Sequence, residues 1–292
     1  MNPRLARGVR VRPDPRDGIP VLLSPERGLR LSPTAAAVLA LCDGEHNLVA
    51  ISRALAQRYS AADPERIDSD VRLLLQELHA KGLVEGVPLP APREPLSHTP
   101  HQSADAENGS LPVPFTSDAV PALETPYTLV AEVTHRCALA CPYCSNPLAL
   151  VRRADELTTD EWLRVVDDAA TLGVMQMHLT GGEPLARSDL EVIAARGRER
   201  DLYVNLVTSG VPLDRERLER LAPSLDHVQL SVQDADPAES DRLAGHVSFE
   251  QKMRVASWVK SLGLPLTVNV VLHRGNADRA SEMIAMAERL GA

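Results

Sequence analysis

The chain has 292 residues, 44% of them hydrophobic, a size that suits one large domain or two unequal ones with a real core. Lys and Arg number 31 against 40 Asp and Glu, and the resulting charge of −9 argues against general binding to a phosphate backbone. No apolar run reaches the roughly 18 residues of a membrane span, and residues 1–13 lack the apolar stretch and cleavage site of a signal peptide, so no membrane association is expected and the cytoplasm is the expected compartment.

In chain order, residues 1–86 read as a small α+β unit. Val9–Arg12 and Pro20–Leu23 predict two strands joined through Pro13–Gly18, and Leu29–Leu31 a third. Three helices follow. The first has Ser32 as N-cap and Pro33 at its first position and runs toward Gly44. The second spans about Asn47–Tyr59 and aligns Leu48, Ile51 and Leu55. The third opens at Asp63-Pro64, aligns Ile67, Val71, Leu74, Leu75 and Leu78, and ends at Gly82 before a short strand at Leu83-Val84. This order is winged-helix-like.

Residues 87–126 read as a linker. Nine of the 23 prolines fall between Pro88 and Pro126, and no hydrophobic period survives there.

From 127 to 292 the rhythm becomes strand, helix, strand, helix. The predicted strands are Thr128–Val133, Gln176–Thr180, Tyr203–Thr208, His227–Val232 and Leu266–Leu272. The predicted helices are Thr159–Leu172, Ser188–Arg200, Asp214–Leu221, Ser248–Leu262 and Ala277–Leu290, with Thr159 taken as a helix start. Such alternation argues for an α/β fold with a parallel sheet and helices outside it. A sixth unit would be expected where the chain stops, so either a truncated chain or a shortened homologue is expected, with an open edge strand at Leu266–Leu272.

The chain has four cysteines, and three of them, Cys137, Cys141 and Cys144, lie within eight residues. Clustered cysteines in a reducing compartment point to metal or catalysis rather than disulfides. The C-x3-C-x2-C spacing follows the first strand of the second unit, at the end where parallel β/α folds place their chemistry. Thiolates suit zinc and iron–sulfur clusters. Three of them on a four-iron cluster leave one iron open to a small molecule, whereas His135 as a fourth ligand would complete a Cys3His zinc site. Cys42 reads as an ordinary core residue on the first helix.

A second signal closes the next strand: Gly181-Gly182-Glu183-Pro184. Two glycines permit close approach to the backbone, and Glu183 sets a carboxylate beside them. The bland alternative is a plain turn before a helix.

Together, the cysteine spacing and the GGEP segment resemble the radical S-adenosylmethionine (SAM) superfamily. The resemblance implies a partial (β/α) TIM-like barrel in which Cys137, Cys141 and Cys144 hold a [4Fe-4S] cluster. SAM would chelate the open iron, Tyr143 would lie near its adenine, and Gly181, Gly182 and Glu183 would receive its ammonium. Thr208 and Ser209, then Ser231 and Gln233, then Asn269 and Val271 would supply the rest of the pocket from strands three to five.

The runs HRCALACPYCSNPLAL, HLTGGEPLAR and VQLSVQDADPAESDRLAG resemble, more narrowly, the radical SAM enzymes of pyrroloquinoline quinone (PQQ) synthesis. These join a glutamate and a tyrosine of a precursor peptide through a C–C bond. A deoxyadenosyl radical takes hydrogen from the glutamate, and the carbon radical attacks the tyrosine ring before oxidation completes the bond. Arg7–Arg10, Leu23–Arg27 and Val38–Gly44 resemble the peptide chaperone of the same pathway. That likeness implies capture of the precursor's leader as an added strand near Leu29–Leu31, against the third helix, with Arg10, Arg12 and Arg30 meeting acidic residues. A tethered chaperone would raise the local concentration of peptide.

The expected partners are the precursor peptide with its leader and an electron donor such as a flavodoxin, with no nucleic acid. The longer members of the family carry a C-terminal domain with auxiliary clusters, so this chain is expected to bind precursor and to crosslink it poorly. Rival readings are a radical SAM maturase of another ribosomal peptide, a non-catalytic leader-binding scaffold, and a zinc-holding DNA reader. The few basic residues of Asp63–Ala80 argue against the last.

Overall fold

The computed structural model describes residues 2–14, 17–25, 27–60, 63–87, 126–144 and 156–292. The linker expected at 87–126, apart from its two end residues, and the run Ser145–Leu148 lie outside them. The chain divides into two units, Met1–Glu124 and Thr125–Ala292.

In the first unit, β2 (Arg10–Pro13), β3 (Pro20–Ser24) and β4 (Arg27–Arg30) form an antiparallel sheet in that order. A separate pair joins β1 (Arg4–Leu5) to β5 (Val84–Glu85). The helices are α1 (Pro33–Leu39), α2 (Leu48–Arg58) and α3 (Pro64–Ala80). Ser32, Asn47 and Asp63 cap them, each accepting a backbone N–H from the first turn. The core gathers Leu22, Val38, Leu39, Ile51, Leu55, Leu75 and Leu78, each contributing about 1.5–3 kcal/mol by burial.

Two details differ from the sequence reading. α1 stops at Leu39 rather than near Gly44, because β1 captures the next turn: Leu5 N–H donates to Cys42 O at 3.3 Å and Gly44 N–H to Pro3 O at 3.0 Å. Arg30 is engaged by Asp14 and Asp17, and Arg10 and Arg12 sit on the opposite edge strand, so the three arginines do not share one edge. Cys42 is buried as expected, its thiol pushed up to about 12 by burial.

The second unit is one parallel sheet of β6 (Thr128–Thr134), β7 (Gln176–Gly181), β8 (Tyr203–Thr208), β9 (His227–Ser231) and β10 (Leu266–Asn269), in sequential order. The helices are α4 (Thr159–Thr171), α5 (Leu190–Glu199), α6 (Arg215–Leu221), α7 (Pro237–Ala244), α8 (Phe249–Ser261) and α9 (Ala280–Leu290). Sequential parallel strands with crossovers of one hand keep the connecting helices on one face, and the sheet curls with its other face inward. Met177, Leu179, Val204, Leu206, Val228 and Leu230 point toward the helices and meet Val166, Ile193, Leu218, Val255 and Val259. The alternate residues, among them Thr180, Val207 and Ser231, face the concave side.

α4 starts at Thr159 as expected and ends one residue earlier than predicted, at Thr171. Thr158 is the N-cap and forms a reciprocal capping box with Glu161. α5 is shorter than the expected Ser188–Arg200, running from Leu190 to Glu199 with Asp189 at its N-cap position, and Pro184–Ala186 ahead of it makes a separate 3₁₀ turn. α7 was not predicted. β10 ends at Asn269 rather than Leu272, where Asn276 Nδ2 takes the Val271 carbonyl at 3.0 Å. Among the described residues, the outer edges of β6 and β10 pair with no strand.

Candidate active site

β6 ends at the buried Thr134 and runs straight into the cysteine loop. The end of β7 clamps that loop. Gly182 N–H donates to Thr134 O at 2.7 Å and Glu183 N–H to Arg136 O at 2.8 Å. A Cβ on Gly181, whose φ is +127°, would stand 2.2 Å from Thr134 O. A Cβ on Gly182 would stand 2.5 Å from Arg136 O. The glycines are therefore required first by the loop backbone, and not only by an approaching ligand. On its far side the loop is tied by Ala140 N–H to Ala244 O at 2.8 Å, at the end of α7. Gly245, the left-handed C-cap of α7, packs on Ala140.

The loop and the strand ends enclose a cavity of about 190 Å³. Cys137, Cys141, Tyr143 and Cys144 line one wall. Gly181 and Gly182 follow from β7, Thr208 and Ser209 from β8, Ser231 and Gln233 from β9, Asn269 and Val271 from β10. Every residue expected to hold the cluster or SAM thus meets there except Glu183, which lies behind the wall, and His135, the alternative zinc ligand, is not in the lining.

Glu183 is 2% exposed, and its carboxylate is fully engaged. Oε1 accepts from Leu185 N–H at 3.1 Å and Thr208 Oγ1 at 2.7 Å, and Oε2 from Ser209 N–H at 2.8 Å and Ser209 Oγ at 2.5 Å. Thr208 and Ser209 therefore spend their hydroxyls on Glu183, joining the ends of β7 and β8. Thr208→Val is expected to lower the stability of this unit by about 1–3 kcal/mol, since a buried carboxylate loses one donor. A denaturant midpoint equal to that of the parent chain would contradict it.

Cys137 and Cys141 are half-buried and Cys144 is exposed. Burial raises the thiols of Cys137 and Cys141. The Lys252 ammonium works against burial at Cys141. Tyr143 is pushed up to about 12, first by burial and then by the charge of Cys141. Among the described residues no three His, Cys, Asp or Glu side chains converge closely enough to hold a metal ion. A cubane asks for a different arrangement, because each thiolate binds its own iron and the sulfurs ring a volume rather than a point. Three thiols spaced along one wall of a shared cavity fit that demand.

Sequence reasoning missed Lys252. It lies on α8, is 0% exposed, and donates through Nζ to Gln233 Oε1. Burial lowers it to about 8, opposed by the negative charge of Cys141. The readable signal was a lysine at the buried helical spacing set by Phe249, Val255, Ala256 and Val259. It also missed the brace behind β9. Asp234, fully buried, is held by Arg279, and Asn276 Nδ2 donates to Gln233 O at 3.3 Å. His273 lies against Tyr143, ring centroids 5.7 Å apart.

Fold and site define a partial β/α barrel whose strand ends carry a three-thiol pocket. Residues 131–287 match the family described as the Radical SAM superfamily. The chain belongs to that superfamily. Residues 21–84 match the family described as coenzyme PQQ synthesis protein D (PqqD). Among curated proteins, the chain is 55% identical over 169 residues to the PqqA peptide cyclase of Methylocella silvestris, covering 57% of this chain and 45% of that protein. It is 54% identical over 175 residues to the PqqA peptide cyclase of Streptomyces rochei, covering 60% and 48%. The chain thus spans about half the length of the curated relatives it matches. Among solved structures it resembles Streptococcus suis SuiB bound to S-adenosylmethionine, with a TM-score of 0.60 at 16% identity, over 99% of this chain and 61% of that one, a likeness of fold.

Proposed function

We propose that this chain carries the radical SAM barrel of a PQQ-pathway peptide cyclase, with a PqqD-like leader-binding unit at residues 1–86. The supporting observation is the single cavity lined by Cys137, Cys141 and Cys144 together with the ends of β7 to β10. Cys137, Cys141 and Cys144 would hold a [4Fe-4S] cluster, and the remaining wall would hold SAM. Bound together, the two supply the power to take a hydrogen atom from an unactivated carbon. The residues of the chain do the rest. Gly181 and Gly182 set the height of the cysteine loop, and Glu183, locked by Thr208 and Ser209, fixes the β7 end against β8. Val207, Val232 and Leu139 give the cavity an apolar lining that excludes water.

On this reading the substrate is a precursor peptide whose glutamate and tyrosine become joined. β4, an edge strand, offers its free side to the leader. The reductant would be a small electron-transfer protein such as a flavodoxin, and the setting cytoplasmic. Among the described residues no helix is long and apolar enough to cross a membrane.

The test is anaerobic reconstitution with iron and sulfide, followed by EPR of the reduced chain with and without SAM. A [4Fe-4S]⁺ signal that changes on adding SAM is expected. A chain that takes up zinc, forms no cluster and ignores SAM would overturn the reading. Mass spectrometry of added precursor peptide, searching for loss of two hydrogens, then reads the crosslink.

A further inference from the structure

The concave face of the sheet continues below the cavity, and its next row is polar. Thr180 and Val207 line the cavity, and two residues earlier on the same strands stand His178 and Asn205. A two-residue step along a strand is about 6.6 Å and keeps the same face. His178 and Asn205 are register partners, and Asn205 Nδ2 lies 3.0 Å from His178 Nδ1. Asn205 is 4% exposed, and its Oδ1 is buried with no partner. His178 is only half-buried, and its Nε2 is neither bonded to protein nor among the buried orphan atoms. The ring is thus held from behind, with its other nitrogen free to meet a ligand.

The chemistry of that nitrogen narrows the ligand. Burial lowers His178, with the neighbouring His227 acting in the same direction, so the imidazole is neutral near pH 7. A neutral ring has one donor and one acceptor nitrogen. If Asn205 gives its N–H to Nδ1, Nε2 is a donor. If the amide turns over, Oδ1 takes the Nδ1 proton and Nε2 becomes an acceptor. A hydroxyl satisfies either state, whereas a carboxylate satisfies one. Glu132, paired with Thr180 across the same face, adds a negative charge that disfavours a second carboxylate. Val130 and Val207 flank the row and offer apolar contact to a ring.

We propose that His178 binds the phenol hydroxyl of the substrate tyrosine, with Asn205 as its positioning residue, one pleat below the SAM cavity. This rests on the reading of the substrate as a tyrosine-bearing peptide. It assigns the hydroxyl end of the tyrosine to the lumen of the sheet and leaves the glutamate nearer the strand ends.

The probes are N-acetyltyrosinamide, N-acetylphenylalaninamide and N-acetylglutaminamide, with affinities measured by NMR on the reconstituted full chain with SAM present. The parent chain is expected to prefer tyrosine over phenylalanine by ~5- to 10-fold, the size of one hydrogen bond between neutral groups. His178→Phe and Asn205→Leu are expected to bring the ratio to about one, and His178→Gln, which keeps a donor and an acceptor, to restore part of it. The EPR signal and its SAM response are recorded on the same samples, so a failure of the cofactor reading shows there and a failure of the tyrosine seat shows in the ratio. If His178→Phe does not fold, Asn205→Leu and His178→Gln carry the comparison. A parent chain that does not distinguish tyrosine from phenylalanine, one that prefers glutaminamide, or folded variants that keep the full preference would each overturn the proposal.

Discussion

Replacing Cys141 with alanine is expected to abolish the reduced-cluster signal of the reconstituted chain, and with it every response to SAM. Three thiolates are the minimum that holds a cubane with one iron left open, and among the described residues no other cysteine lines the cavity. Bound iron should fall from about four per chain toward zero. Cys42→Ala is the matched control. Cys42 is buried in a separate core, with Sγ 3.4 Å from Val38 O, so this variant should keep the signal in full. A Cys141→Ala chain that still shows a SAM-responsive signal would remove Cys141 from the ligand set.

The second large effect is expected from Gly181→Ala. An alanine there must adopt a φ of +127°, which L residues avoid, and must also place its Cβ 2.2 Å from Thr134 O. The strain and the clash together should cost on the order of 3 kcal/mol or more. Relief is available only by moving the start of the cysteine loop, so cluster assembly should fail together with stability. Gly263→Ala separates the two causes. Gly263 also has a positive φ, +73°, but a Cβ there meets nothing within 4 Å. Its cost should be only ~1–2 kcal/mol, with the cluster signal intact. Equal losses in the two variants would show that backbone conformation alone, and not the clamp on the loop, makes Gly181 necessary.

Much of the fold was legible because local signals and period agreed. Ser32, Asn47 and Asp63 each lie directly before an apolar stripe, and each caps a helix. The five strands of the second unit were visible as short apolar runs between helical patterns. The start of α4 at Thr159 was legible, and Thr158 and Glu161, before and within its first turn, hold the spacing of a capping box. α7 was missed although Asp236-Pro237 opens it and Gly245 closes it, because eight residues are too few for a convincing period. β1 has two residues and exists only through its long-range pairing with β5, which no local pattern announces.

The site divides along the same line. Cysteine spacing and the GGEP run named the cavity's loop and its neighbour, since both are contiguous. The engagement of Glu183 by Thr208 and Ser209 links residues 25 and 26 positions apart, and depends on β7 lying beside β8. The pairing of His178 with Asn205 depends on their register. Neither register nor strand order is written in a local motif. Lys252 is a third kind of miss, a charge set on the apolar stripe of α8.

The sequential order of the sheet has a consequence for how the protein matures. The cavity takes a wall from the end of every strand but β6, and β6 delivers the cysteine loop, so no partial assembly of the strands contains the whole site. A chain emerging from the ribosome cannot form the complete cavity until β10 has docked. Whatever occupies the cavity then acts as a keystone: it stabilises the native state in proportion to the logarithm of its concentration over its dissociation constant. Its binding should slow amide exchange across all five strands together rather than around the cysteines alone.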